Sequence, residues 1–394
     1  MKPPLTALLL ALALQASVPT LAQQVEPEAA IERVFTADRL EEDWFSPAFL
    51  AALPLPDIEA FIKTYVSRHG AFRSVTGQAG EYVIELEKAE VPALLALDPQ
   101  GRIAGLRLQE AIPLASLDEL AQTIARLPGE TSLLVISNGD DRIAENADTR
   151  MAVGSAAKLS ILKVAADAVE AGKLAWDQTF ELKDEWRSLP TGILQDWPAG
   201  TPLTLSTIAN LMISMSDNTA TDAMIQIVGR DAVGMLTPAN TPFLTTREFF
   251  TLKAASNAEL YREWADAAPE KRTELAGKLK DLPLPSPGAL VPQPSLDVEW
   301  FMSGRELCEL MEAVKDLPAF MINPGVASPA NWKQIAYKGG SEAGVLNLTT
   351  WLQDQHGSSH CVVATWNNRE ETLDERRLMS AYRGVLRNLA TESE

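Results

Sequence analysis

The spacing of apolar positions changes several times along the chain, and each change marks an element or a boundary. From about Glu28 the pattern is first helical. It then turns to strand formers at Tyr82 to Leu86, Val91 to Leu97 and Arg102 to Leu108. Asp98-Pro99-Gln100-Gly101 separates the last two runs and reads as a hairpin turn. Helix first and antiparallel strands after predict a small α+β domain over residues 28–113. A second unit starts near Ser116, where Leu117, Leu120, Ala121, Ile124 and Leu127 recur at helical spacing before Pro128-Gly129. Ser132 to Ile136 follows as a buried strand, and at the far end Trp332 to Tyr337, Val345 to Leu352 and Cys361 to Trp366 read as three more. A final helix carries Leu378, Tyr382, Leu386 and Leu389 on one face. Between these strands the sequence is mostly helical, apart from five prolines between Asp281 and Pro294 that predict a surface excursion. Residues 116–394 are therefore expected to form one α+β domain, an α/β sandwich in which an antiparallel sheet built from both ends packs against a helical subdomain.

The first residues break this scheme. Lys2 precedes the apolar run Leu5 to Val18, and Pro19-Thr20-Leu21-Ala22 follows. That order predicts a secretory signal peptide over residues 1–22. The run is about fourteen residues long, short of the roughly twenty a membrane-spanning helix needs. The processed chain is thus expected to be periplasmic or secreted, without a membrane anchor. A formal charge of −19 argues against nucleic acid and anionic membranes as partners. A small molecule and a monomeric state are the expectation. Cys308 and Cys361 are the only cysteines; an exported chain permits them to pair, but their apolar neighbourhoods favour two buried free thiols.

Three short runs could carry chemistry. Ser155-Ala156-Ala157-Lys158 opens the most apolar helix of the middle region. The lysine follows the serine by one turn on the same face, within reach of its hydroxyl. A lysine held neutral can take a serine proton, and a helix start offers free N–H groups to an oxyanion. The pattern is common, since Ser160-Ile161-Leu162-Lys163 repeats it in the helix interior. Ser216-Asp217-Asn218 ends a second apolar helix and reads either as a cap and turn or as a proton relay beside an amide. Lys338-Gly339-Gly340-Ser341 closes the strand Trp332 to Tyr337. It reads as a glycine turn, or as a fixed charge beside a strand edge along which a substrate could lie.

In this order the three runs resemble the penicillin-recognising serine enzymes, and most closely the class A β-lactamases, whose signature is S-x-x-K, S-D-N and K-T-G. The resemblance spans about 70% of the chain, from Leu117 to Ala390. It implies Ser155 as acyl-forming nucleophile, Lys158 as its base and Ser216 as relay to the departing nitrogen. It also implies that Asn218 binds a substrate amide, that Lys338 orients a substrate carboxylate, and that the backbone N–H groups of Ser155 and Ser341 form an oxyanion hole, with Gly340 leaving room beside them. The N-terminal unit resembles cystatin-like or steroid-isomerase-like (NTF2-like) modules, and the pair of domains resembles a two-domain protein type from clavam biosynthesis.

The chain departs from that pattern twice. Gly339 stands where the family has a threonine, removing a hydroxyl that helps hold a carboxylate. No E-x-x-L-N run occurs between Gly229 and Trp264, and Glu248 and Glu259 lack the flanking residues of a deacylating glutamate. The expected activity is hydrolysis of β-lactams or related cyclic amides and esters through a Ser155 acyl-enzyme, with no cofactor and no metal. A penicillin-binding receptor without efficient turnover and a peptidoglycan D-Ala carboxypeptidase are the alternatives. A histidine-based triad is not supported: only His69, His356 and His360 exist, and no G-x-S-x-G elbow occurs.

Overall fold

A computed structural model describes residues 25–392, so the expected signal peptide lies outside the described residues. The chain divides into two compact units between Ala111 and Ile112.

In the first unit, helices α1 (Pro27–Thr36), α2 (Pro47–Ala52) and α3 (Leu55–His69) precede a meander of β1 (Phe72–Gln78), β2 (Glu81–Leu86), β3 (Ala89–Leu97) and β4 (Ile103–Leu108). The expected turn is present, with Asp98 Oδ1 accepting from the Gln100 and Arg102 backbone N–H groups. Alternate residues of β2 and β3 (Tyr82, Ile84, Leu86, Val91, Ala93, Leu95) bury against Ile31 and Val34 of α1 and Ile58 and Ile62 of α3. Strand β1 escapes the sequence pattern because none of its residues is fully buried, so it shows no alternation of apolar and polar positions.

The second unit begins with α4 (Leu117–Ala125), where Ser116 and Glu119 form a reciprocal capping box. Next come the hairpin β5 (Glu130–Ser137) and β6 (Asp140–Glu145), then α5 (Lys158–Glu170) after a 3₁₀ turn over Gly154–Ala157. The helical region holds α6 (Leu205–Ser214), α7 (Asn218–Val228), α8 (Arg230–Leu236), α9 (Thr246–Leu252), α10 (Ala258–Asp266) and α11 (Pro269–Leu279). The proline-rich stretch follows. The chain then returns through α12 (Gly304–Val314), β7 (Gln334–Glu342), β8 (Val345–Gln353), β9 (Ser359–Asn367) and α13 (Glu375–Glu392).

The five strands pair antiparallel in the order β7-β8-β9-β5-β6, so both chain ends of the unit complete one sheet. One face (Leu133, Val135, Leu346, Leu348, Val362, Ala364) packs on Leu120 and Ile124 of α4 and on Leu378, Tyr382 and Leu386 of α13. The other face (Leu134, Ala336, Trp351, Val363) packs on α5, α12 and the helical region through residues such as Ile161, Met212, Met224 and Met311. This is the mixed helix and antiparallel sheet architecture expected from the sequence.

Two expectations change. Cys308 of α12 and Cys361 of β9 are joined in a disulfide with Cα atoms 6.0 Å apart, rather than standing as free thiols. Their two apolar neighbourhoods are the two halves of one helix-on-sheet contact. The strand expected to end at Tyr337 also runs on to Glu342, with Gly339 opposite Leu348 and Gly340 opposite Asn347. The glycines are therefore ladder residues, and the turn falls instead at Gly344, whose φ is +77°.

Gly340 is required by packing. A β-carbon there would collide with the Val153 carbonyl oxygen and lie 2.5 Å from the Ser155 nitrogen and 2.7 Å from the Ala156 nitrogen. We expect Gly340→Ala to cost about 1–3 kcal/mol and Ser341→Ala, at an exposed position, less than about 0.5 kcal/mol, both read by urea unfolding. Equal effects would show that β7 and the 154–157 turn are not in tight contact. The disulfide closes a loop between residues 53 apart. Replacing both cysteines by alanine should cost about 2–4 kcal/mol, and added reductant should then leave the variant's unfolding midpoint unmoved.

Candidate functional site

Three segments converge where edge strand β7 meets the start of α5. The approach to the turn is held by Asn367 of β9, whose side chain accepts from the Ala152 N–H and donates to the Ala152 carbonyl, both at 2.9 Å. Gly154 then takes φ +50°, close against Ser341 and Gly340, and turns the chain into Ser155. The Ser155 hydroxyl has no hydrogen-bond partner among the described residues, and it lines a cleft of about 250 Å³.

Lys158, one turn later, has no exposed surface. Its Nζ donates to the Ser216 carbonyl (2.7 Å), Ser216 Oγ (3.2 Å) and Asn218 Oδ1 (2.8 Å). Burial first, and the nearby Lys338 cation second, hold its pKa well below that of an ordinary lysine. Lys338 of β7 donates from Nζ to Ser216 Oγ at 3.1 Å, so one hydroxyl is shared by both lysines. Burial lowers the Lys338 pKa to about 7. Ser216 itself takes φ +55°, a conformation a serine rarely adopts, and its carbonyl is further bound by Thr191 Oγ1 at 2.7 Å.

Asp217 is structural. Its Oδ2 accepts from the Ile193 and Leu194 N–H groups and its Oδ1 caps α7 at Ala220, which pins the 191–194 loop beside the cleft. Asn218 is the first residue of α7. Its amide is bonded at both ends, to Lys158 and to the Leu189 carbonyl (3.0 Å), and it does not line the cleft. In this arrangement it can position Lys158, whereas contact with a substrate would need these bonds to rearrange.

Ser155, Ser216, Lys338, Gly340 and Ser341 all line the cleft. So do Thr191, Asn323, Tyr337, Glu375 and Met379, which sequence reasoning did not single out. Only Tyr337 carried a local signal, as the residue before Lys338. Glu248 lies elsewhere. Its carboxylate pairs with Arg230 at 2.6 Å, accepts from the Thr245 N–H to complete the cap of α9, and faces a separate cavity shared with Asp222 and Arg247. His360 bonds Ser137 Oγ through Nδ1, and His356 sits in the Asp354 turn. No group of three or more His, Cys, Asp or Glu side chains among the described residues is placed to hold a metal ion.

A family model described as the β-lactamase enzyme family matches residues 116–262. The β-lactamase VEB-1 of Pseudomonas aeruginosa is 26% identical over 131 residues, which cover 32% of this chain and 42% of that protein. The aligned stretch thus spans less than half of that relative. Among solved structures, a β-lactamase of Sphaerobacter thermophilus is 20% identical with a TM-score of 0.49, covering 71% of this chain and 98% of that one. A β-lactamase of Chitinophaga pinensis is 17% identical with a TM-score of 0.47, covering 70% and 98%. The family match includes the S-x-x-K and S-D-N runs, and over residues 116–262 this chain is similar to the β-lactamase enzyme family.

Proposed function

We propose that the chain is an exported Ser–Lys acyl-transfer hydrolase acting on β-lactams or related cyclic amides and esters through a Ser155 acyl-enzyme. The observation that carries this reading is the solvent-free Lys158, bonded to Ser216 one helical turn from a Ser155 hydroxyl that faces a cleft. In its neutral form Lys158 can accept the Ser155 proton as Oγ attacks a carbonyl carbon. The Ser155 and Ser341 N–H groups would receive the developing oxyanion. Ser216, hydrogen-bonded to both lysines, would pass a proton to the departing nitrogen or oxygen and recover it from Lys158. Export follows from the expected signal peptide. No helix among the described residues is long and apolar enough to cross a membrane. The N-terminal unit, the cystatin-like or NTF2-like module of residues 28–113, is assigned no chemistry.

A receptor with slow turnover is the second reading, and one observation favours it. With Glu248 bound to Arg230, the only carboxylate lining the cleft among the described residues is Glu375. An acyl-enzyme without a base to activate water persists.

The test is to treat the protein with a penicillin, a cephalosporin and 4-nitrophenyl acetate. Mass spectrometry should show an adduct on Ser155, and Ser155→Ala should lose it together with at least about a hundredfold in ester hydrolysis. No adduct from any of the three, with rates unaffected by Ser155→Ala, would remove the proposal. The pH profile tests the base. Since Lys158 acts when it has lost its proton, acylation should rise with pH. The Lys338 cation favours that loss. Lys338→Met removes it, stabilises protonated Lys158 and should move the rising limb to higher pH; a limb that stays in place or moves down would show that the two lysines are not coupled.

A further inference from the structure

The wall of the cleft formed by β7 and α13 differs from what a carboxylate-binding site requires. At Gly339 the hydroxyl expected from the resemblance is absent, and its space is filled. A β-carbon built there would collide with the Tyr337 hydroxyl, and would lie 3.0 Å from Tyr337 Cζ and 2.9 Å from the Asn347 carbonyl oxygen. The phenol is fixed from the other side by Gly325, where an added β-carbon would strike the ring. Its hydroxyl has no hydrogen-bond partner among the described residues, and burial together with nearby Glu375 pushes its pKa up to about 12, so it stays protonated.

Glu375, the first residue of α13, lines the same cleft. It has no ion-pair partner among the described residues. The arginines that follow it are engaged elsewhere, Arg376 with Asp374 at 2.9 Å and Arg377 over the Trp366 ring. On this wall the only formal charge among the described residues is therefore negative. Lys338, the one cation lining the cleft among the described residues, reaches across to Ser216 Oγ from the opposite side of the strand.

From this geometry we infer that the cleft selects acyl substrates carrying a cationic group against the Tyr337–Glu375 wall and discriminates against a carboxylate there, with Glu375 as the specificity-determining residue. The inference deepens the acyl-transfer reading and rests on it for its substrate. An ammonium group would sit beside an otherwise unpaired carboxylate, with the Tyr337 hydroxyl free to accept from it or to bind water. A substrate carboxylate would meet like charge in a half-buried setting, which costs far more than in water.

Three 4-nitrophenyl esters of matched length test this: pentanoate, 4-(trimethylammonio)butanoate and hydrogen glutarate, each corrected for spontaneous hydrolysis. The full-length protein should give a higher kcat/KM for the cationic than for the anionic ester. Glu375→Gln should lower that ratio by about tenfold, the order expected for one charge beside a partly buried group. A ratio at or below one, or a ratio unchanged by Glu375→Gln, overturns the inference while leaving Ser155 acylation intact. If none of the esters acylates Ser155, the acyl-transfer reading fails, and calorimetry decides the wall separately. Tighter binding of 4-(trimethylammonio)butanamide than of glutaramate, lost in Glu375→Gln, supports it, and the reverse order overturns it.

Discussion

The site depends on a lysine amine held where no water reaches it. Lys158 is kept there by acceptors from a different segment, the Ser216 carbonyl and hydroxyl and the Asn218 amide, so its position is set by the packing of α5 against the start of α7. Three acceptors around one nitrogen satisfy the ammonium form, whereas burial and the Lys338 charge oppose it. The balance leaves an amine that loses its proton more readily than an ordinary exposed lysine. Much else in the region maintains this arrangement. Asp217 pins the loop that brings Thr191 to the Ser216 carbonyl. Gly192 is needed because a β-carbon there would strike the Asp217 carboxylate.

A second constraint is steric. Strand β7 comes so close to the 154–157 turn that Gly340 has no room for a side chain, and this contact brings the Gly340–Ser341 backbone against the turn that carries Ser155. The strand is secured beyond that point by Glu342, which reaches buried Lys253 at 3.1 Å, itself paired with Glu299 at 2.6 Å. An edge strand free on one side is thereby held rigid at the residue after Ser341, at the price of burying charge. Such a pair organises geometry more than it stabilises the fold.

What could be read from the sequence follows from how local each feature is. Ser155 with Lys158, Ser216 with its two followers, and Lys338 with its glycines each lie within one turn or one strand, where residue type and spacing are visible directly. The strands of the second sheet were legible for the same reason, since β8 and β9 are buried along nearly their whole length and read as apolar runs. The Cys308–Cys361 bond was not, because it depends on how α12 lies across β9. Nor was the Tyr337–Glu375 wall, which joins a strand to a helix far along the chain. Asn218 shows the opposite limit: its motif is local, but whether it faces substrate or Lys158 depends on where the Leu189 carbonyl comes to rest.

The same distinction bears on how a proposed acyl-enzyme would be released. The segment that would have to supply a water-activating carboxylate uses its polar groups to hold itself to the helical region. Thr246 Oγ1 lies within hydrogen-bond distance of Ser188 Oγ, the Asn218 carbonyl and Asp222 Oδ1, while the Thr246 and Arg247 N–H groups bind the Asp222 carboxylate. Glu248 is occupied by Arg230 and the α9 cap. The bonds of Thr246 are buried, so breaking them to free a carboxylate would leave unpaired groups behind at a cost of about 1–3 kcal/mol each. Movement of this segment is thus a poor route to deacylation. Under the proposed mechanism water activation would fall instead to the groups around Ser155, chiefly Lys158 once the leaving group has departed, opened a path to it and left its amine neutral again. The lifetime of the acyl-enzyme would then track the protonation of the same buried lysine that forms it.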